Sequence, residues 1–141
     1  MQSKKISETT VVARYQETDQ MGIIHHSVYP IWFEAGRTEL IKLYGLTYTQ
    51  MESEGILLPL IGLECSYKNA AHYEDQLTIR SCIDNVSYTR LDFFYEIIRR
   101  EQEGKSVLIA MGKTHHIFTN TGMRPLNMKK TRPDFIELFS R

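Results

Sequence analysis

One long helical period, residues 28–44, followed by little but strand-like sequence, constrains this chain more than any other feature. Val28, Trp32, Ala35, Leu40 and Leu43 recur at helical spacing. Ser27 stands where an N-cap belongs, Pro30 falls in the first turn and Gly45 supplies a stop. The apolar face formed by Ile31, Trp32, Phe33, Leu40, Ile41, Leu43 and Tyr44 is too broad to lie exposed. Around the helix, residues 9–15 alternate like a strand, with Val11, Ala13 and Tyr15 on one face. Residues 60–68, 76–85, 89–100 and 106–120 are rich in Ile, Val, Tyr, Phe and Thr. Glu103-Gly104 and residues 85–88 read as hairpin turns, 47–55 as a short helix or turn, and 134–139 as a helical turn begun near Pro133. Strand, helix, then four strands is not βαβ alternation. It predicts an α+β fold, a five-stranded antiparallel sheet curved around one central helix. Such a sheet leaves one face and two edges uncovered, which edge pairing into a homodimer, and then a homotetramer, would relieve.

The chain of 141 residues suits one domain, 1–141, and its 17 basic and 17 acidic residues cancel. The basic pairs Lys4-Lys5, Arg99-Arg100 and Lys129-Lys130 are dispersed, so no nucleic-acid-binding face is expected. The most apolar run, residues 56–61, is too short to span a bilayer and contains Pro59. No secretory leader is legible, so a cytoplasmic location with Cys65 and Cys82 as reduced thiols is the expectation.

Chemistry concentrates in residues 15–29, where Tyr15, Asp19, Gly22, His25, His26 and Tyr29 run straight into the helix. A loop carrying a carboxylate that opens a helix can activate water and hold an oxyanion. The histidine pairs His25-His26 and His115-His116 invite a metal reading. Neighbours on a strand point to opposite faces, however, and no Cys or carboxylate completes a ligand set, so no metal is expected.

Three segments carry a family resemblance: residues 14–22 (Arg14 to Gly22), His26-Ser27-Val28-Tyr29, and residues 33–39 (Phe33 to Glu39). They resemble the hotdog-fold acyl-CoA thioesterases, specifically the 4-hydroxybenzoyl-CoA thioesterase-like, YbgC-type branch. Residues 70–77 resemble the turn before the third strand of that family. The resemblance implies a hotdog fold and hydrolysis of acyl-CoA to free acid and coenzyme A without a cofactor. It makes Asp19 the catalytic carboxylate, as general base or nucleophile, with His26 and Tyr15 as companions. Gly22 would permit the sharp turn. The N–H groups around His26 to Val28, with Ser27 and Tyr29 beside them, would form the oxyanion site and pocket. Lys68 and Arg90, or Arg99 and Lys113, are candidate contacts for the coenzyme A nucleotide. Glu34 is the alternative carboxylate, although Arg37 and Thr38 stand at pairing distance along the helix. Two positions depart from the family pattern: His25, where an aromatic such as Tyr is common, and Ala70, where proline is. An acyl carrier protein in place of coenzyme A, a non-catalytic acyl-binding protein and a hotdog dehydratase or hydratase are the competing readings.

Overall fold

In the computed structural model, which describes residues 4–141, the long helix, α1, spans Val28–Leu43. Strand β1 (Ser7–Val12) precedes it. After it come a short helix α2 (Tyr48–Ser53) and the strands β2 (Leu60–Tyr67), β3 (Gln76–Val86), β4 (Arg90–Arg100) and β5 (Ser106–Ile117). Two short helices, α3 (Met128–Thr131) and α4 (Pro133–Phe139), close the chain. The strands form one antiparallel sheet in the order β1-β3-β4-β5-β2. This is the expected α+β hotdog arrangement, with the sheet left open.

Alternation decides which face meets α1. Leu77 and Ile79 of β3, Leu91, Phe93, Tyr95 and Ile97 of β4, and Ala110 of β5 are buried with Trp32, Phe33, Leu40 and Ile41 of the helix. Close approach depends on Gly36, where an added Cβ would strike Ser81 Oγ and lie 2.8 Å from Ile79 Cγ2. Ile31 and Leu43, read from sequence as part of the buried face, are 62% and 48% exposed. The covered stripe is therefore narrower than the run of apolar residues.

Other expectations also change. The first strand runs Ser7–Val12 rather than 9–15, because Tyr15–Glu17 turns into a 3-10 helix and leaves Tyr15 76% exposed. The fifth strand stops at Ile117, and α3 is an element the sequence reading did not contain. The strands after the helix are not all joined by tight turns. β2 lies at the far edge beside β5, so the segment after Tyr67 crosses back to reach β3. The β4–β5 turn does follow the sequence signal: Glu103 and Gly104 take φ of 65° and 73°, as a tight hairpin requires. No helix among the described residues is long and apolar enough to cross a membrane.

Candidate active site

The loop between β1 and α1 is held by its own polar groups. Glu17 is buried. Its Oε1 accepts the Arg14 N–H at 2.8 Å, and its carbonyl accepts the His25 N–H at 2.8 Å, clipping the two arms together. Between these arms the chain reverses at Gly22, whose φ of +82° is unfavourable for any residue with a Cβ. The reversal lets the Asp19 N–H reach the Ile23 carbonyl at 2.8 Å and the Gly22 N–H reach the Asp19 carbonyl at 3.1 Å. Asp19 Oδ1 accepts the N–H groups of Met21 (2.8 Å) and Ile23 (3.3 Å). Oδ2 takes no donor among the described residues. One oxygen thus fixes the carboxylate while the other is free.

Two hollows meet at this carboxylate. A wide depression of about 820 Å³ is lined by Tyr15, Asp19, Met21, His25 and His26 among others. A narrower one, about 330 Å³, runs between Asp19, Ile23, His26, Tyr29, Tyr67 and Lys68. Tyr15, Asp19 and His26 are therefore brought together, although no hydrogen bond joins Asp19 to either companion among the described residues. The exposed Tyr15 ring leans edge-on against Tyr73, with centroids 5.7 Å apart. His26 is exposed and stacks on the half-buried His25, with centroids 4.2 Å apart. Tyr29 is buried, and burial pushes its phenol up to about 12, so it serves as a wall rather than an acid near neutrality.

The helix entry differs from the expectation. Ser27 occupies the N-cap position, but its hydroxyl shares a 2.7 Å hydrogen bond with His25 Nδ1 and caps nothing. The Ser27 N–H donates to the same ring nitrogen at 3.1 Å, and the Val28 N–H donates to the His25 carbonyl at 3.0 Å. Of the three amides read as oxyanion donors, only that of His26 has no acceptor among the described residues. His25, the departure from the family pattern, is the residue that occupies the other two.

The cationic candidates separate. Lys68 is exposed and lines the narrower hollow. Arg90 begins β4, opposite Ile117 at the far end of the sheet, and pairs with Asp92 at 3.2 Å. That end does not meet the Asp19 hollows within this chain. Arg99 is committed to Asp75 at 2.9 Å, and Lys113 pairs with Asp84 at 3.4 Å. Glu34 is exposed outside both hollows. Thr38 donates to its backbone carbonyl at 2.8 Å, not to its carboxylate.

Tyr67 is the site residue the sequence reading passed over. Its hydroxyl donates to the His26 carbonyl at 3.2 Å, and its ring packs edge-on to Tyr29 at 5.3 Å. Strand parity could have found it, since Leu63, Cys65 and Tyr67 share one face of β2 and Lys68 follows directly. His115 and His116 do face opposite ways, the first half-buried between Glu64 and Asp92, the second fully buried. Among the described residues no group of three or more His, Cys, Asp or Glu side chains is placed to hold a metal.

The sequence profile of the thioesterase-like superfamily matches residues 13–137. YneP of Bacillus subtilis (strain 168), provisionally named an acyl-CoA thioesterase, is 32% identical over 130 residues, 92% of each chain. The DHNA-CoA thioesterase of Staphylococcus aureus superposes with a TM-score of 0.86 at 32% identity, over 96% of this chain and 89% of that one. The 4-hydroxybenzoyl CoA thioesterase of Pseudomonas sp. strain CBS-3 shares the fold, with a TM-score of 0.80 at 23% identity over 94% of this chain and 98% of the other. With that match running from the start of the Asp19 loop to the last helix, the chain belongs to the thioesterase-like superfamily and is a thioester hydrolase in class.

Proposed function

We propose that this chain hydrolyses acyl-CoA thioesters at Asp19. The observation that carries the reading is the divided carboxylate: Oδ1 is fixed by two backbone amides, and Oδ2, where two hollows meet, has no partner among the described residues. Oδ2 can take a proton from water as the water attacks the thioester carbon, or attack that carbon itself to form a mixed anhydride that water then opens. Either route expels coenzyme A as the thiol and yields the free acid. The oxyanion of the transition state falls to the His26 N–H, at the positive end of a 16-residue helix. Gly22 sets the reversal that presents Asp19, and Tyr29 walls the narrower hollow, while Val28 and Ser27, expected in the pocket, line neither hollow. A carboxylate, water and amide donors suffice for this chemistry, so the scheme uses no metal or redox cofactor.

Lys68 stands at the rim, where a nucleotide phosphate would lie. β2 is a sheet edge with Leu60, Ile61, Leu63 and Tyr67 about half exposed. A second copy pairing along this edge would cover those side chains and wall the narrower hollow beside Tyr67. Further association to a tetramer would use the open sheet face. The Staphylococcus aureus relative is a DHNA-CoA thioesterase, and the Tyr29 and Tyr67 rings here offer an aromatic wall to an acyl group. Aromatic acyl-CoAs are therefore the first substrates to try.

The test is thiol release from aromatic, short-chain and medium-chain acyl-CoAs and from acyl carrier protein, comparing the native chain with Asp19→Asn. Turnover that falls about 10²–10⁴-fold in the variant supports Asp19 as base or nucleophile. Retained turnover removes Asp19 from that role. Turnover on acyl carrier protein alone would replace the coenzyme A reading, and binding without turnover would favour an acyl-binding protein.

A further inference from the structure

We infer that Arg99 and Asp75 form a clamp that positions Asp19, with Arg99 a positioning residue rather than a nucleotide ligand; the inference rests on the thioesterase reading above. Arg99 Nη1 donates to Asp75 Oδ2 at 2.9 Å and to the Ala70 carbonyl at 3.2 Å, while Nε donates to Glu101 Oε1 at 3.3 Å. Asp75 Oδ2 also accepts the His72 N–H at 2.8 Å, and the Asp75 N–H returns to the His72 carbonyl at 3.1 Å. Residues 70–75 are thereby closed on themselves and fastened to the end of β4. They are fastened to the exit of β1 as well: Ala13 N–H donates to the Asp75 carbonyl at 2.9 Å and Glu74 N–H to the Ala13 carbonyl at 2.8 Å. Asn69 ties the same segment to β5 through the Leu108 carbonyl at 2.7 Å.

A segment pinned to three strands still offers one free side, and the Asp19 loop is built on it. The Ala71 carbonyl accepts the Ile24 N–H at 2.9 Å, and Ile23 bridges His72 as an isolated antiparallel pair. Ile23 in turn holds both ends of Asp19: its carbonyl accepts the Asp19 N–H, and its N–H donates to Oδ1. From the guanidinium to the reacting carboxylate, every link is a hydrogen bond or a peptide unit. An arginine that donates from two nitrogens to three acceptors on separate stretches of chain fixes direction as well as distance, and Arg99 and Asp75 are both mostly covered, so the pair resists screening better than an exposed one. Displacing the 70–75 turn would move Oδ2 without touching its chemistry. Small displacements of a reacting group carry large rate costs.

The test uses the full chain with Arg99→Gln, Arg99→Lys and Asp75→Asn, each alone and with Asp19→Asn. In Arg99→Gln we expect kcat to fall about tenfold with KM held within about twofold, because positioning acts on the transition state. Arg99→Lys, which keeps the charge but not the fork, should fall between, and it carries the test should Arg99→Gln not fold. The Ile23 and Ile24 amides should exchange with solvent about tenfold faster than in the native chain while global unfolding stays cooperative. In the Asp19→Asn background the Arg99 substitution should have no further effect on turnover. A raised KM with unchanged kcat would identify a nucleotide contact and overturn the clamp. So would native exchange at Ile23 and Ile24, or an equal loss in the Asp19→Asn background. If the native chain turns over no thioester, the functional reading fails separately, and exchange at Ile23 and Ile24 still decides the clamp.

Discussion

Two pairs of adjacent histidines, His25-His26 and His115-His116, are alike in sequence and opposite in what the fold does with them. The first pair lies in a turn. Its rings stack on the rim of the Asp19 hollows, and the His25 ring and carbonyl fill two of the amides at the foot of α1, leaving that of His26 without an acceptor among the described residues. The second pair lies on β5, so the rings part to the two faces of the sheet. His116 goes inward, where His116 Nδ1 donates to the Leu58 carbonyl at 3.1 Å. Nε2 is therefore left to accept the Thr114 hydroxyl at 2.9 Å, and Thr114 in turn accepts from Tyr95 at 2.5 Å. That chain of donors runs one way only when His116 is neutral. A pair of imidazoles is thus no signal by itself; the backbone beneath it decides whether the rings stay together on the rim of a hollow or part between core and surface.

The largest effect that would test the contrast is on stability. His116→Ala empties a fully buried site and strands the Leu58 carbonyl, so unfolding in urea at neutral pH should cost at least about 3 kcal/mol less than in the native chain. His25→Ala or His26→Ala should change the same quantity by less than about 0.5 kcal/mol. Equal losses from both pairs would erase the distinction.

Acid should destabilise the chain through His116. Burial, with Arg37 adding to it, lowers His116 to about 4. The unfolded chain therefore binds this proton before the folded one does. The stability from neutral His116 is whole above about pH 6.5 and is lost as pH falls toward 4, on the order of 3 kcal/mol at about 1.4 kcal/mol per pH unit. Urea midpoints across that window for the native chain and His116→Gln check this. The native curve should fall more steeply, and parallel curves would place the titration elsewhere.

The turn pair should instead show itself in rate. His26→Ala keeps the backbone N–H and carbonyl, so kcat should fall only about tenfold, about 1.4 kcal/mol in the barrier, with the unfolding midpoint unchanged. This loss should be well below that of Asp19→Asn. A fall as large as that of Asp19→Asn would make the imidazole a proton carrier in its own right.

Much of this contrast was legible in the sequence. Strand parity separates His115 from His116, and the helical period places α1 within a residue or so of its ends. What sequence could not give was the pairing of elements distant along the chain. Arg90 and Lys68 look alike in sequence, yet the strand order sets them at opposite ends of the sheet. Tyr15 continues the strand alternation, but the buried Glu17 carboxylate draws the chain into a 3-10 turn and turns the phenol outward. Ser27 has the right type and position for an N-cap, and a neighbouring imidazole takes its hydroxyl. Each difference arises where a local preference meets a partner supplied by the fold.

The smallest expected effect runs opposite in pH to the titration of His116. His115 sits on the outer sheet face with Nε2 against Glu64 Oε2 at 2.7 Å and Nδ1 against Asp92 Oδ1 at 3.0 Å, which raises it above its ordinary value. Arg90 shares the Asp92 carboxylate, and Lys113, two residues along the same face, is held by Asp84. A histidine raised in the folded state stabilises fully below about pH 6.5, and the benefit disappears as pH rises through its folded value. Glu64 is largely exposed, so screening keeps the gain below about 1 kcal/mol. His115→Gln should therefore unfold earlier than the native chain at pH 6 and together with it at pH 9, with the gap shrinking as salt is added. Because β2 contributes Glu64 and β4 contributes Asp92, the protonated ring draws the edge strand toward the sheet centre. Amide exchange along β2 should slow on acidification to pH 6 in the native chain but not in His115→Gln. Identical exchange in both would leave His115 as surface charge and His116 as the sole titrating member of the pair.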